Sequence, residues 1–319
     1  MDALSDVLLL LRPRSYMSAG FEAGGEWSIQ FPDQQKGIKS GAVVSGICWL
    51  SVEGVADAVR LNAGDCFLLP SGRPFRLATD LALVPVDAKT IFSNVPTGGI
   101  TFLSGGGDFS LISTRFAIVG NHADMLLQML PPIVHVRTDQ SALRFCISRM
   151  MQELREPQPG GFMVVQHLAQ MMLIQALRLH LAEGLNAGTG WLFALADKKM
   201  GAVINAMHND PSHRWTLESL AQHSSMSRST FALKFKEKVG TSPLEYLTRW
   251  RMLLAGDKLV NSNDSISVIA LSIGYESESA FSTAFKRVMG CSPRQYWRVT
   301  NPSASFGEEE EQLEINSKA

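Results

Sequence analysis

The chain is 319 residues long, 45% hydrophobic and 18% charged, with a formal net charge of −1. That composition excludes a disordered polymer, and the length suffices for two domains that each bury a core. Its four cysteines, Cys48, Cys66, Cys146 and Cys291, are widely spaced with no C-x-x-C pair, the pattern of a protein kept reduced in the cytoplasm.

The apolar run at 7–11 is preceded by Asp2 and Asp6 and followed by Arg12 and Arg14, the reverse of a signal peptide's charge order. Strand-like runs follow at 27–31, 42–52, 58–61, 66–69, 75–78 and 109–119, separated by turns such as Asn62-Ala63-Gly64-Asp65 and Pro70-Ser71-Gly72. Short strands at this spacing predict a double-sheet roll. Helices are predicted over 123–130, 140–155 and 162–183. Gln166, His167, Gln170, Gln175, Arg178 and His180 interrupt the last, which argues against a simple membrane span. Its Leu and Met residues, including Leu168, Met171, Met172, Leu177 and Leu181, cover more than one face. Such a helix packs on the roll, joins two subunits, or does both. Asn186-Ala-Gly-Thr-Gly-Trp191 reads as a hinge, with a short helix at 191–196.

Beyond the hinge one segment is written twice, fifty positions apart. Ser229, Phe231, Phe235, Lys236, Val239, Gly240, Ser242, Pro243 and Tyr246 are repeated as Ser279, Phe281, Phe285, Lys286, Met289, Gly290, Ser292, Pro293 and Tyr296. The aromatic residues recur every four positions, the stripe of an amphipathic helix facing a core. Gly240 and Gly290 end these helices, and the Ser-Pro pairs begin new ones, with Ser242/Glu245 and Ser292/Gln295 spaced as capping boxes. Upstream, Thr216 caps a helix carrying Leu217, Leu220 and Ala221, and Ser227 caps the striped one. In the second copy Ser265 opens Ile266, Ile269 and Ala270, Gly274 turns the chain, and Ser277 caps the next helix. Each copy is therefore a helix-turn-helix. The distance from Ala221 to Ser227 is one residue shorter than from Ala270 to Ser277. Between the copies, 243–260 reads as one long helix with Leu244, Leu247, Trp250, Leu254 and Leu259 on its apolar side.

Together these residues resemble the DNA-binding domain of AraC/XylS transcription regulators. The stretches that carry the resemblance are Trp215-Thr-Leu-Glu-Ser-Leu-Ala, Met226-Ser-Arg-Ser-Thr-Phe, Gly240-Thr-Ser-Pro-Leu-Glu-Tyr, Ile269-Ala-Leu-Ser-Ile-Gly-Tyr and Phe285-Lys-Arg-Val-Met-Gly-Cys-Ser-Pro. The run from Ala63 to Phe75 is similar to the cupin sensor arm of such regulators. The fold so implied is α+β: an N-terminal cupin-like β-barrel with flanking helices (1–185), a linker (186–198), an all-α domain of two helix-turn-helix units joined by a linker helix (199–299), and an acidic tail expected to be disordered (300–319). Charge follows this division, at −2 for 1–198 (15 Lys and Arg against 17 Asp and Glu), +5 for 199–299 (13 against 8) and −4 for 300–319 (1 against 5). The basic surplus falls where phosphates are expected.

The resemblance implies a cytoplasmic, sequence-specific DNA-binding regulator, activator being the commoner family role. It further implies a homodimer under the control of a small-molecule effector or redox signal, which touches RNA polymerase when it activates. Carried over residue by residue, Ser229, Ala232, Leu233, Glu278, Ser279 and Thr283 face bases, and Arg228, Lys236, Arg249, Arg251, Lys286 and Arg287 face phosphates. Leu233 and Thr283 depart from the family, which often places Arg or Gln there. Forked donors to guanine or adenine are thus lost, and more is left to phosphate contacts and DNA shape.

The rival readings are a metal-dependent cupin enzyme and a protein-interaction module without DNA binding. Metal cupins use histidines on barrel strands. All seven histidines (122, 135, 167, 180, 208, 213 and 223) lie outside the predicted strands, and Phe75 stands near a usual ligand position. No catalytic residue, metal or cofactor is therefore expected. Cys48 and Cys66, both on predicted strands, could form a redox pair, although buried cysteines usually only pack. His208, His213 and His223 read as structural or exposed.

Overall fold

The computed structural model describes residues 2–34, 37–93, 98–118, 127, 130–137, 141–183 and 190–300. The hinge at 186–189, most of the helix expected over 123–130 (with His122 before it), and the acidic tail from 301 lie outside the described residues. Contacts divide the chain into two units. One spans 11–188, and the other joins 189–319 to residues 1–10.

In the first unit, β1 (Arg14–Ala23), β3 (Ile38–Ser45), β6 (Cys66–Leu69), β9 (Ile100–Leu103), β10 (Phe109–Ala117) and β11 (Val134–Val136) form a six-stranded sheet in the order β11-β6-β3-β10-β1-β9. A five-stranded sheet contains β2 (Ser28–Phe31), β4 (Ile47–Val52), β5 (Val59–Asn62), β7 (Phe75–Ala78) and β8 (Val86–Asp87), in the order β5-β4-β7-β2-β8. Both sheets contribute to one core, including Phe21, Ile29, Val43, Leu50, Phe67, Phe75 and Leu111. The architecture is the expected cupin-like roll, built as two sheets.

The run expected as one strand over 42–52 is two, because Gly46 turns the chain with φ +82°. A Cβ at that glycine would lie 2.4 Å from the Asp108 carbonyl, so β4 leaves β3 and enters the other sheet. The sequence reading missed β1, whose Ser, Ala and Gly content lacks the usual strand signal. Pairing with β10 on one side and β9 on the other holds it extended. It also missed β8, β9 and β11. The last corrects the placement of histidines, since His135 sits on β11, its Nε2 3.2 Å from Asp65 Oδ2.

Helix α2 (Ala88–Phe92) follows β8, and α3 (Ser141–Arg155) and α4 (Gly161–Glu183) complete this unit. By length and composition alone α4 could cross a membrane. In the fold it packs on α3, β1 and β11, and Gln166 and Gln170 donate to the carbonyls of Ser15 (2.7 Å) and Pro13 (3.2 Å).

The second unit is helical. Its members are α1 (Ala3–Leu11, assigned here through residue 10), α5 (Trp191–Ala196), α6 (Lys198–Asn209), α7 (Leu217–His223), α8 (Arg228–Val239), α9 (Pro243–Asn261), α10 (Ile266–Ser272), α11 (Glu278–Met289) and α12 (Pro293–Thr300). The stretch read as linker is therefore ordered from Gly190 onward. Gly190 N donates to the Lys238 carbonyl (2.7 Å), and Asp197 caps α6 while pairing with Lys238 Nζ (2.7 Å). The N-terminal helix, grouped with the roll in the sequence reading, meets this unit where Ala3 N donates to Asn205 Oδ1 (2.8 Å).

Candidate nucleic-acid interface

The two helix-turn-helix units are built from matching parts. Leu220 and Ala221 of α7 and Ile269 and Ala270 of α10 are buried, as are Phe231 and Phe235 of α8 and Phe281 and Phe285 of α11. The paired rings meet edge-on at 5.6 and 5.5 Å, a favourable aromatic geometry. Thr216, Ser227, Ser242, Ser265 and Ser277 each accept a backbone N–H at a helix start. Pro243 and Pro293, both buried, occupy first-turn positions where no N–H is needed.

Gly240 (φ +89°) and Gly290 (φ +80°) close the recognition helices α8 and α11 in the left-handed conformation, and the amide of each reaches back to a lysine carbonyl, Lys236 or Lys286. Of the two expected capping boxes, that at Ser292 is reciprocal, Gln295 Oε1 accepting from Ser292 N at 3.2 Å. That at Ser242 is half formed. Ser242 Oγ accepts from Glu245 N at 3.4 Å, but the Glu245 carboxylate turns to Arg249 Nη2 at 2.6 Å.

The one-residue difference between the turns is now located. Met226 N and Tyr275 N make the same bond, to the carbonyls of Ala221 and Ala270. Ser225 (φ +52°) and Gly274 (φ +86°) hold equivalent left-handed positions. The extra residue comes after this shared turn, beside Glu276. Gly274 is required sterically as well, since a Cβ there would stand 2.5 Å from the Ser212 carbonyl.

With one face of each recognition helix buried, the other is offered to solvent. On α8 that face carries Ser229, Leu233, Lys236 and Glu237, all exposed, Leu233 to 61%. Ala232 lies at its margin. The corresponding face of α11 carries Ser279, Thr283, Lys286 and Arg287, also exposed. The sequence reading passed over Glu237, which stands where the second copy has Arg287. The twofold writing of the segment signals this charge reversal once the copies are aligned. Glu278 is exposed but held by Ser267 Oγ (2.6 Å), and Thr283 Oγ1 donates to the Ser279 carbonyl (3.0 Å).

The basic residues differ in availability. Arg228, Lys236, Lys286 and Arg287 are exposed. Arg249 is paired with Glu245. Arg251 Nε donates to the Pro211 carbonyl (2.7 Å), its Nη2 donates to that of His213 (2.8 Å), and its guanidinium lies 5.9 Å from the Tyr275 ring. Arg251 thus ties the 211–213 loop to α9. A phosphate would have to displace these bonds.

Behind this surface His208 is buried, stacked on Trp250 at 3.7 Å, with Nε2 2.8 Å from Tyr246 Oη. Asp6 Oδ2 stands 3.6 Å from its Nδ1, and burial still pushes His208 down to about 3. His213 and His223 flank Trp215 at the surface. In the first unit, burial pushes the Cys48 thiol up to about 12 and that of Cys66 higher, with Asp65 adding to both. Both cysteines therefore stay protonated and fit the packing reading. Among the described residues no three His, Cys, Asp or Glu side chains gather as a metal site.

Known proteins match this arrangement. A cupin family model matches residues 2–182, and a helix-turn-helix domain model matches 220–298. An AraC-like transcription regulator of Streptomyces lividans is 42% identical over 93% of this chain and 98% of its own length. The HTH-type transcriptional regulator AlkR of Acinetobacter baylyi is 32% identical over 93% and 99%. The RCS-specific HTH-type transcriptional activator RclR of Escherichia coli is 30% identical over 93% and 97%. A cupin-type roll joined in one chain to paired helix-turn-helix units defines a DNA-binding transcription regulator, and the chain belongs to the AraC family of these regulators.

Proposed function

We propose that the protein binds a specific operator by placing α8 and α11 in successive major-groove segments on one face of the duplex, about one helical turn apart. The observation that carries this reading is the pair of matched solvent faces, Ser229-Leu233-Lys236 and Ser279-Thr283-Lys286, each standing opposite a buried aromatic stripe. Ser229, Ala232, Leu233, Glu278, Ser279 and Thr283 meet bases. Arg228, Lys236, Lys286 and Arg287 meet phosphates, with Arg249 joining if its pair with Glu245 opens. Arg251 is withdrawn from the phosphate set because of its internal bonds.

The protein acts in the cytoplasm as a non-enzymatic regulator. Activation through RNA polymerase is favoured by the activator named among its relatives. Control by a small molecule in the first unit is favoured over a redox switch, because Cys48 and Cys66 are buried thiols. A homodimer is supported by the exposed apolar side chains Phe145, Phe162, Met163 and Met171 on α3 and α4, surface of the kind a second copy would cover. Genome-wide mapping of bound DNA should recover a recurring sequence upstream of regulated genes, and the free protein should sediment at twice the chain mass. Absence of enriched sites would overturn the regulator reading, and a monomeric mass would overturn the dimer.

A further inference from the structure

The roll of the first unit holds a cavity of about 600 Å³ that opens to solvent, within the size range of small-molecule sites. Its walls are ordered by the strand register. On β1, β10 and β3, residues that face each other inside the roll fall in rows. Phe21 pairs with Leu111 and Leu111 with Val43. Next along, Ala19 pairs with Ser113 and Ser113 with Gly41. The last row is Met17, Arg115 and Lys39. The lining thus grades from apolar to cationic along one direction. Phe31, Phe75 and Phe92 line the wall contributed by the other sheet and α2, Phe31 stacked on Phe75 at 4.4 Å and on Phe92 at 5.9 Å.

The polar end is unusual in its charge. Lys39 and Arg115 are directly opposed across the β3–β10 ladder, where like charges destabilise a sheet. Lys39 Nζ donates to Ser113 Oγ at 2.6 Å and, among the described residues, has no carboxylate partner. Lys89 also lines the cavity, and among the described residues no Asp or Glu does. Burial, with Arg115 adjacent, pushes Lys39 down to about 8. An anion at this end would give Lys39 the carboxylate partner it lacks among the described residues.

We infer that this cavity binds a small carboxylic acid with an apolar body, its carboxylate held by Lys39 and Ser113 beside Arg115 and its body lying among Phe31, Phe75 and Leu111. The inference rests on the reading that the first unit receives an effector, and it names the effector's chemical class.

Calorimetric titration of the full chain with decanoate and 4-phenylbutyrate, against decanol and 4-phenylbutanol, tests it. The acids should bind at least about tenfold more tightly than the alcohols, since a charge-assisted bond is lost with the carboxylate. Lys39→Gln should abolish that preference while leaving alcohol affinity within about twofold, and Lys39→Arg should keep it. Ala19→Leu, which fills the middle of the cavity, should weaken acids and alcohols together. Equal binding of acids and alcohols, no binding of either acid, or a preference that survives Lys39→Gln would overturn the assignment. Operator binding read in parallel separates the two readings. Lost acid binding with intact operator binding defeats only the ligand assignment, whereas acid binding without any operator binding defeats only the regulator reading.

Discussion

His208 shows how one buried side chain ties the DNA-binding unit to pH. It stacks on Trp250 and bonds Tyr246 of α9, and burial holds its folded pKa near 3 against about 6.5 in an unfolded chain. The unfolded state therefore takes up a proton first as pH falls. The contribution of neutral His208 to stability is complete above about pH 6.5 and declines through the window down to about 3, at no more than about 1.4 kcal/mol per pH unit. His208→Phe keeps the stacking area but has nothing to protonate. Urea unfolding followed by tryptophan fluorescence should show a shallower acid loss for this variant between pH 6.5 and 4. Equal slopes for variant and parent would mean that His208 is solvated or already charged in the fold.

At the scale of elements, each recognition helix is fixed by a serine cap, an aromatic stripe and a C-terminal glycine, so its outer face can change without unfolding it. Lys236→Ala and Arg287→Ala should each weaken binding to operator and scrambled DNA alike and reduce the slope of log affinity against log salt by about one unit. Ser229→Ala and Ser279→Ala should instead alter base preference, each mismatch being worth roughly 1–3 kcal/mol. Titrations at several salt concentrations on both DNAs distinguish the classes, and an unchanged slope for both lysine and arginine variants would mean that these helices meet the duplex elsewhere.

The recognition elements were legible because their signals are local. Caps, glycine stops and four-residue spacing lie within single helices and are repeated. What the sequence concealed was set by partners distant in the chain. The small residues of β1 become a strand only between β10 and β9, β11 exists through pairing with β6, and Arg251 is claimed by carbonyls forty residues upstream. The opposition of Lys39 and Arg115 is likewise a consequence of register, invisible until β3 and β10 are aligned.

For the molecule as a whole, the family and both kinds of fold follow from a cupin-type roll and paired helix-turn-helix units carried in one chain. The acidic surplus of residues 1–198 and of the tail offsets the basic surplus of 199–299 in the net charge of −1, so bulk charge understates the affinity for DNA that the exposed lysines and arginines confer. The central claim is that both recognition helices read one face of the duplex together. Hydroxyl-radical footprinting of the full chain on an operator recovered by the genome-wide map tests it most directly. The expected result is, for each bound chain, two protected stretches on one face with centres about 10–10.5 base pairs apart, both fading in a Lys236→Ala, Arg287→Ala double variant. A single protected stretch, or two on opposite faces of the helix, would contradict it.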